Sequence, residues 1–344
     1  LFVGKNNCGK TSVLEGIYLL SNPMSILNLV NIRNIGERYN FETVINLVSA
    51  IFKDMDIDVP VKIEGDLNSN EKKEIVVDYD DTIVQYDENI GDYLPIGLKI
   101  KYSTLKNSNI VNENCFSILI NEKRLSIIGE SSKSVIPLRM GINMPILPLR
   151  AGSKKYSEVY NAGKSKYMTP KMDIKDILKL ISNLQISKEM DRIIRVLQKI
   201  EPSIMDLRIG ADGIIYCDVG AKKLIPINII GDGILKVLSI MSIIYNAKDG
   251  FVFIDEIENG LHYSALEILW KGIFEASKEF NVQVFATTHS WECITAYRMV
   301  YEEYINKMDG IRFYRIEKEE ENFKVIDYDE ETMAVAIDRN WEMR

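Results

Sequence analysis

Between about residues 59 and 130, hydrophobic and polar positions alternate with a period of two. Runs such as 74–79 and 96–102 alternate in this way and are separated by turn residues. This pattern predicts an antiparallel meander of strands. Ahead of it, residues 1–50 predict a strand end, a glycine-rich loop and helical segments at 11–21 and about 41–52.

Helical spacing replaces this alternation from about residue 173 to 200. After about residue 204, short apolar runs such as 251–255 and 282–287 alternate with longer amphipathic segments. Strands that alternate with amphipathic helices predict a mostly parallel sheet with helices on both faces. The predicted fold class is therefore α/β, with an added antiparallel β-rich subdomain and a helical subdomain.

These changes of pattern divide the chain into four predicted segments. They are an N-terminal part of the core, a β-rich insert, a basic loop with a helical subdomain, and a C-terminal part of the core: 1–53, 54–135, 136–203 and 204–344.

Charge is distributed unevenly along the chain. The 344 residues include 42 Lys and Arg and 50 Asp and Glu, for a net charge of −8. Residues 54–92 hold 13 acidic and 3 basic residues, so this part of the insert accounts for the negative balance. From Lys133 to Lys175, nine basic residues face two acidic ones. This basic run is a candidate surface for a nucleic acid, and a solvated loop is the alternative.

Composition narrows the class of protein. With 46% hydrophobic and 27% charged residues, the chain can bury a substantial core. Its four cysteines are scattered without a CxxC pair, which is typical of free thiols in a reducing compartment. We expect no membrane span, no signal peptide and a cytoplasmic location. With only two histidines, His262 and His289, the chain cannot form a three-histidine metal site.

The clearest chemical motif follows the first predicted strand, which is expected to begin upstream of Leu1. Residues 4–11, GKNNCGKT, match G-x-x-x-x-G-K-[ST] between a strand and a helix, the context of a P-loop. The backbone N–H groups of this loop can donate hydrogen bonds to a β-phosphate, and the positive end of the helix dipole attracts its negative charge. Lys10 would reach the β- and γ-phosphates and Thr11 would bind Mg²⁺. The predicted nucleotide-binding residues are Gly4, Asn6, Asn7, Cys8, Gly9, Lys10, Thr11 and Ser12.

Two carboxylates end a later apolar strand. Asp255 and Glu256 directly follow residues 251–254, and open α/β sheets bind ligands at the carboxyl ends of their strands. Asp255 would hold Mg²⁺, and Glu256 would orient and deprotonate the attacking water. Many buried strands end in acids, but after a P-loop in the same chain this pair indicates nucleotide hydrolysis.

His289 ends the next predicted strand, 34 residues after Asp255. One helix and one strand fit into that interval, so we expect His289 near Glu256, where it can donate a hydrogen bond to the γ-phosphate. Capping of the following helix is the alternative role.

A weaker motif precedes the helix predicted at 232–246. Gly231 and Gly233 flank Asp232, and Gly231 lies 24 residues before Asp255. Such glycines can expose N–H groups to a phosphate, and an ordinary turn with Asp232 as the N-cap would leave the same pattern. Both interpretations stay open on the residues alone.

Together these segments resemble an ABC-type ATPase of the RecF/SMC-like branch, and most closely the ATPase part of the OLD (overcoming lysogenization defect) family. The resemblance rests on GKNNCGKTSVLE at 4–15, FIDEIENGLH at 253–262 and FATTHSWECITA at 285–296. It implies that ATP and Mg²⁺ bind between two protomers, with the 231–233 loop of one contacting the γ-phosphate held by the other. His262 would lie near the dimer contact, or would cap the helix that begins at Tyr263.

The sequence departs from that family pattern in several places. The LSGGQ sequence of the signature loop is absent. No Q-loop glutamine is identified from the sequence, and Gln85, which lies in the strand-rich block, is only a guess. No heptad arms separate the two ATPase halves, which excludes an SMC-like coiled coil. Asp327 and Asp329 have the spacing of Toprim acids but lack the accompanying Glu. The chain is therefore expected to be a stand-alone ATPase rather than a nuclease.

The hypothesis is an ATPase that forms a homodimer or higher homo-oligomer around ATP–Mg²⁺. It would switch a separate effector protein, in anti-phage defence or DNA metabolism. One alternative is a slow-turnover, ATP-gated scaffold that assembles with an effector. The divergent 231–233 loop and the large insert disfavour a transporter nucleotide-binding subunit. The pair Asp255 and Glu256, together with His289, disfavours a nucleotide kinase.

Overall fold

The computed structural model forms two compact units. The core unit comprises residues 1–14 and 163–344, and the insert unit comprises residues 15–162. The structure describes residues 1–26, 49, 51–52, 55–68, 70–87, 92–121, 124–129, 135–138, 165–169, 174–304, 310–320, 322–329, 332–333 and 335–336. Most of the helix predicted near 41–52 and most of the basic run lie outside these residues.

The elements follow one another along the chain as strands, helices and strands again. The strands are β1 (Phe2–Val3), β2 (Val61–Asn68), β3 (Glu71–Asp87), β4 (Asp92–Lys106), β5 (Asn109–Asn121), β6 (Arg124–Gly129), β7 (Val135–Leu138), β8 (Ser165–Met168), β9 (Asp206–Ile209), β10 (Ile215–Asp218), β11 (Ile225–Pro226), β12 (Phe251–Ile254), β13 (Gln283–Ala286), β14 (Phe313–Glu319) and β15 (Asn322–Tyr328). The helices are α1 (Lys10–Ser21), α2 (Ile174–Ile186), α3 (Met190–Ile200), α4 (Ile227–Ile230), α5 (Asp232–Asn246), α6 (Tyr263–Phe280) and α7 (Trp291–Tyr304).

A parallel sheet forms the centre of the core unit. β12 pairs in parallel with β8 on one side and with β13 on the other. β1 pairs in parallel with β14, and β15 is an antiparallel edge strand. A parallel bridge between Phe2 and Thr287 places β1 beside the end of β13. The carboxyl ends of β1, β12 and β13 therefore meet at one edge of the sheet.

Helices bury their apolar faces in one continuous core around this sheet. β12 carries Val252 and Ile254 into it, both fully buried. α3 buries one face, formed by Met190, Ile193, Ile194 and Leu197. The indole Nε1 of Trp270 on α6 donates to the carbonyl of Cys293 on α7 over 3.2 Å, which joins these two helices. Close packing of these side chains fixes the sheet edge on which the site is built.

The insert unit contains a six-stranded antiparallel sheet in the order β2–β3–β4–β5–β6–β7. Alternate side chains on its long strands are fully buried, among them Ile75, Leu98 and Ile118. Exposed ion pairs lie on other positions of these strands, such as Lys101 with Glu113 at 2.7 Å. The meander predicted from the period of two is confirmed.

The α/β fold class is also confirmed, because parallel strands alternate with helices through the carboxyl-terminal half. One strand of the core sheet, β8, lies within the 136–203 segment that the sequence assigned to a basic loop and helical subdomain. The four domain boundaries stay a prediction. In the part of the chain that the structure describes, no helix is both long and apolar enough to cross a membrane.

Two isoleucines on α2 test the packing of the core unit. Ile181 is fully buried, whereas Ile186 is 79% exposed. Ile181→Ala should lower the free energy of unfolding by about 2–5 kcal/mol, because it leaves a cavity in the core. The same change at Ile186 should cost less than about 0.5 kcal/mol. Denaturant unfolding followed by circular dichroism measures both, and equal losses would contradict this core.

Candidate active site

The loop between β1 and α1 wraps around the side chain of Lys10. The ammonium donates to the carbonyl oxygens of Gly4 and Lys5, both over 2.7 Å, and lies 3.9 Å from the Cys8 sulfur. Asn7 adopts a left-handed backbone conformation with φ of 62°. The loop thus holds one positive charge at the amino end of a helix, the arrangement that binds phosphate.

Two glycines in this loop have positive φ angles, and one of them has no room for a side chain. Gly4 has φ of 146°, and a Cβ there would overlap the carbonyl oxygen of Ile316 and lie 2.6 Å from the Cys8 sulfur. Gly9 has φ of 88°, and its Cβ would lie 3.1 Å from the ring of Phe323 on β15. The backbone conformation therefore favours glycine at both positions, and at Gly4 the lack of space also excludes a side chain. Phe323 belongs to no sequence motif, so its position beside the loop could not be predicted.

Asp255 joins the loop to the neighbouring strands. It follows β12, and its carboxylate accepts hydrogen bonds from the Thr11 hydroxyl over 3.1 and 3.2 Å and from the Thr287 hydroxyl over 2.6 Å. Its backbone N–H donates to the carbonyl of Met168 at the end of β8. Thr11 and Asp255, predicted as a pair from two motifs 244 residues apart, therefore lie in contact.

Thr287 is a second junction of the site and is missed by the sequence analysis. It is fully buried, and its hydroxyl accepts the Glu256 N–H over 2.9 Å while donating to Asp255. Glu256 has φ of 48°, which is uncommon for a residue with a side chain. The only signal in the sequence is a hydroxyl residue at the end of a buried strand. Thr287 thus fixes both acidic residues at the end of β12.

His289 lies beside Glu258 rather than in direct contact with Glu256. Glu258 Oε1 accepts the His289 backbone N–H over 3.1 Å and lies 3.2 Å from the ring Nδ1. The Glu258 side chain is only 12% exposed, whereas that of His289 is 45% exposed. The cap of α7 is provided by Ser290, whose hydroxyl accepts the Cys293 N–H. The alternative in which His289 caps that helix is therefore wrong.

His262 caps α6, as one of the two sequence interpretations proposed. Its Nδ1 lies 2.9 Å from the Ser264 hydroxyl and accepts the Ser264 backbone N–H over 3.4 Å. The ring also contacts Tyr263, with centroids 4.3 Å apart. A dimer contact by the exposed His262 stays a prediction.

The 231–233 loop lies next to the segment that follows the acidic pair. α5 begins at Asp232, and the N-cap position is occupied by Gly231 with φ of 149°. A Cβ on Gly233 would lie 3.6 Å from Leu261 and 3.8 Å from the Gly260 carbonyl oxygen. The predicted turn with Asp232 as N-cap is therefore wrong, because Gly231 occupies the N-cap position.

The remaining sequence candidates lie elsewhere. Gln85 is on β3 of the insert unit, whereas β12 of the core unit pairs with β8 and β13. Asp327 lies on β15, and Asp329 accepts the Thr332 N–H over 2.8 Å at the start of a short turn. Among the described residues, no three His, Cys, Asp or Glu side chains are grouped so that they could hold a metal ion by themselves.

The chain matches a known family over most of its length. A family described as "AAA domain, putative AbiEii toxin, Type IV TA system" matches residues 1–292. The chain belongs to this AAA family. It is a P-loop ATPase, as the sequence predicts. The assignment to the OLD family and the roles of the individual nucleotide-binding residues stay predictions.

This AAA-family ATPase has relatives among curated proteins and solved structures. It is 25% identical over 321 residues to an "ATP/GTP phosphatase" of Helicobacter pylori, covering 88% of this chain and 82% of that protein. An SMC head bound to the C-terminal winged-helix domain of ScpA is 13% identical, with 97% and 91% of the two chains covered and a TM-score of 0.43. The SMC head domain of Thermotoga maritima is 11% identical, with 95% and 89% covered and a TM-score of 0.41.

Replacement of Thr287 tests the junction between the two acidic residues. Thr287→Val keeps the volume but removes both hydroxyl hydrogen bonds, so Asp255 and Glu256 lose their common anchor. We expect kcat for ATP hydrolysis to fall about tenfold or more, since hydrogen bonds to charged groups contribute about 1.5–3 kcal/mol.

Thr295→Val is the matched control, because the Thr295 hydroxyl only donates to the Trp291 carbonyl within α7. It should retain wild-type kcat. Equal activity of the two variants would show that Thr287 does not organise the site.

Proposed function

We propose that this ATPase encloses ATP–Mg²⁺ between two copies of the chain and that hydrolysis switches a separate effector protein. The contact between the Thr11 hydroxyl and the Asp255 carboxylate, 3.1 and 3.2 Å, carries the proposal. It supports a single site to which both motifs contribute. Gly4, Asn6, Asn7, Cys8, Gly9 and Ser12 would surround the phosphates, while Lys10 neutralises them.

The oxygen donors at this contact suit Mg²⁺. A hydroxyl and a carboxylate are the kind of ligands that Mg²⁺ takes, and it completes its shell with water and substrate phosphates rather than with a protein cage. Thr11 and Asp255 would hold the ion, directly or through water. When bound, it would neutralise charge on the β- and γ-phosphates.

Two further side chains are assigned to the hydrolytic step. Glu256 would orient the attacking water and accept its proton. His289 would donate a hydrogen bond to the γ-phosphate. Support for both comes from the ends of β12 and β13, which lie side by side and are joined through Thr287.

A second protomer is supported by the surface around the 231–233 loop. Gly231 and Gly260 both have open space where a side chain would point. Ile229 and Tyr263 nearby in the chain are 70% and 67% exposed. Apolar side chains beside open backbone suit contact with a partner. The residues Gly231, Asp232 and Gly233 would there contact the nucleotide of the other protomer.

The biological role is proposed from the family. Its description includes the words "putative AbiEii toxin, Type IV TA system". An OLD-type role in anti-phage defence or DNA metabolism, in the cytoplasm, is the proposal that we retain. Contact of the 133–175 run with nucleic acid is part of it.

Glu256→Gln separates binding from hydrolysis. The amide keeps the size of the side chain but cannot accept a proton from water, so turnover should fall below detection while ATP still binds. Phosphate release and equilibrium binding of a fluorescent ATP analogue measure the two quantities. Unchanged hydrolysis by this variant would remove Glu256 from its role.

Mixing two inactive variants tests the composite site between protomers. Lys10→Ala disables the phosphate loop and Gly233→Asp disables the 231–233 loop, yet a heterodimer retains one intact pair. Random assortment should therefore restore about a quarter of the wild-type activity. No recovery from folded variants that co-assemble would exclude contacts in trans.

The turnover of the wild type distinguishes the switch from a slow scaffold. Under the leading proposal, DNA or an effector raises the rate of ATP hydrolysis. Slow turnover that no addition changes, together with ATP-dependent assembly with an effector, would favour the scaffold.

A further inference from the structure

Lys236 is an internal cation next to the acidic end of β12. It lies in the second turn of α5, directly after the 231–233 loop, and its ammonium is buried without a hydrogen-bond partner among the described residues. Burial lowers the pKa of Lys236, and the negative charges of Glu258, Glu256 and Asp255 oppose that shift, Glu258 most strongly. An unpaired buried ammonium is costly, so its retention calls for a function.

Glu258 presents the complementary atom. Its Oε1 binds the backbone N–H and ring of His289, but its Oε2 is buried and has no partner in the described part of the chain. A buried carboxylate oxygen accepts hydrogen bonds only, whereas an ammonium donates three. One region of the core unit therefore holds an unused donor and an unused acceptor of opposite charge.

We propose that Lys236 is a positioning residue whose ammonium donates to Glu258 Oε2 in the ATP-bound protein. Glu258 then holds His289 with its other oxygen, as it already does here. The connection runs from the 231–233 loop through α5 and Lys236 to Glu258 and His289. The inference rests on the proposed role of His289 in hydrolysis.

The connection has a mechanical consequence for a dimer. Because Lys236 follows the 231–233 loop within one helix turn, a shift of that loop on contact with the partner's nucleotide also moves the ammonium. Completion of the Lys236–Glu258 pair would then hold His289 in the same protomer. Binding at one site would in this way set the hydrolytic geometry of the other.

Stability and activity should respond to Lys236→Met in opposite directions. Methionine has a similar length, packs well in a core and removes an unpaired buried charge. Without ATP, the midpoint of thermal unfolding should therefore equal or exceed that of the wild type. The kcat for ATP hydrolysis should fall about tenfold, with little change in the affinity for ATP.

A double-mutant cycle tests the pairing itself. Glu258→Gln removes the negative charge but keeps an oxygen for the His289 N–H, and it should also lower kcat about tenfold. The double variant should be no slower than the slower single variant, because both changes break the same connection. Lys236→Arg, which keeps the charge, should recover part of the rate. Lys248→Met, in the exposed turn that follows α5, should behave as wild type.

The outcomes separate this inference from the proposed function. If the wild type hydrolyses ATP and the losses of kcat in the two single variants multiply in the double variant, the proposed pairing is wrong. A Lys236→Met protein that is both less stable and less active would assign Lys236 a purely structural role and would also overturn it. Should Lys236→Met fail to fold, the cycle can be run with Lys236→Arg. If the losses of kcat caused by Lys236→Arg and Glu258→Gln multiply in the double variant, the pairing is equally wrong. Absence of hydrolysis by the wild type would instead contradict the proposed function.

Discussion

The carboxylate of Asp255 is the point on which the site depends. It accepts hydroxyl hydrogen bonds from Thr11 and Thr287, and thereby joins three segments that are far apart in the chain. Parallel strands make this possible, because their carboxyl ends lie at one edge of the sheet. Loss of that alignment would separate the phosphate loop from the acidic residues. The arrangement of the candidate site is thus a consequence of strand order as much as of motif residues.

The same edge explains why polar groups can be concentrated inside a well-packed unit. Thr287 is fully buried, yet its hydroxyl is used twice, by Asp255 and by the Glu256 N–H. Buried polar groups are stable when their hydrogen bonds are satisfied, and costly otherwise. Lys236 and the second oxygen of Glu258 stand out against this background. In the proposed ATP-bound state, each of these two groups would become the hydrogen-bond partner of the other.

Sequence patterns could predict the elements and the motifs because each is local. The P-loop, the period of two in the insert and the helices of the carboxyl-terminal half all follow from neighbouring residues. β8 could not be predicted, because four residues in a basic run carry too weak a period to identify a strand. Glu258 and Thr287 were missed because their importance arises only from contacts with distant residues. The Ser290 cap was likewise hidden, since His289 and Ser290 are adjacent and both can cap a helix.

The structure of the Glu256→Gln protein with ATP and Mg²⁺ is the most direct measurement of the central claim. The account predicts two protomers with a nucleotide between them. Mg²⁺ would be held by the Thr11 hydroxyl and the Asp255 carboxylate, directly or through water. Gly233 of the second protomer would face the γ-phosphate. A nucleotide or metal ion bound away from Thr11 and Asp255, or a site completed within a single protomer, would contradict it.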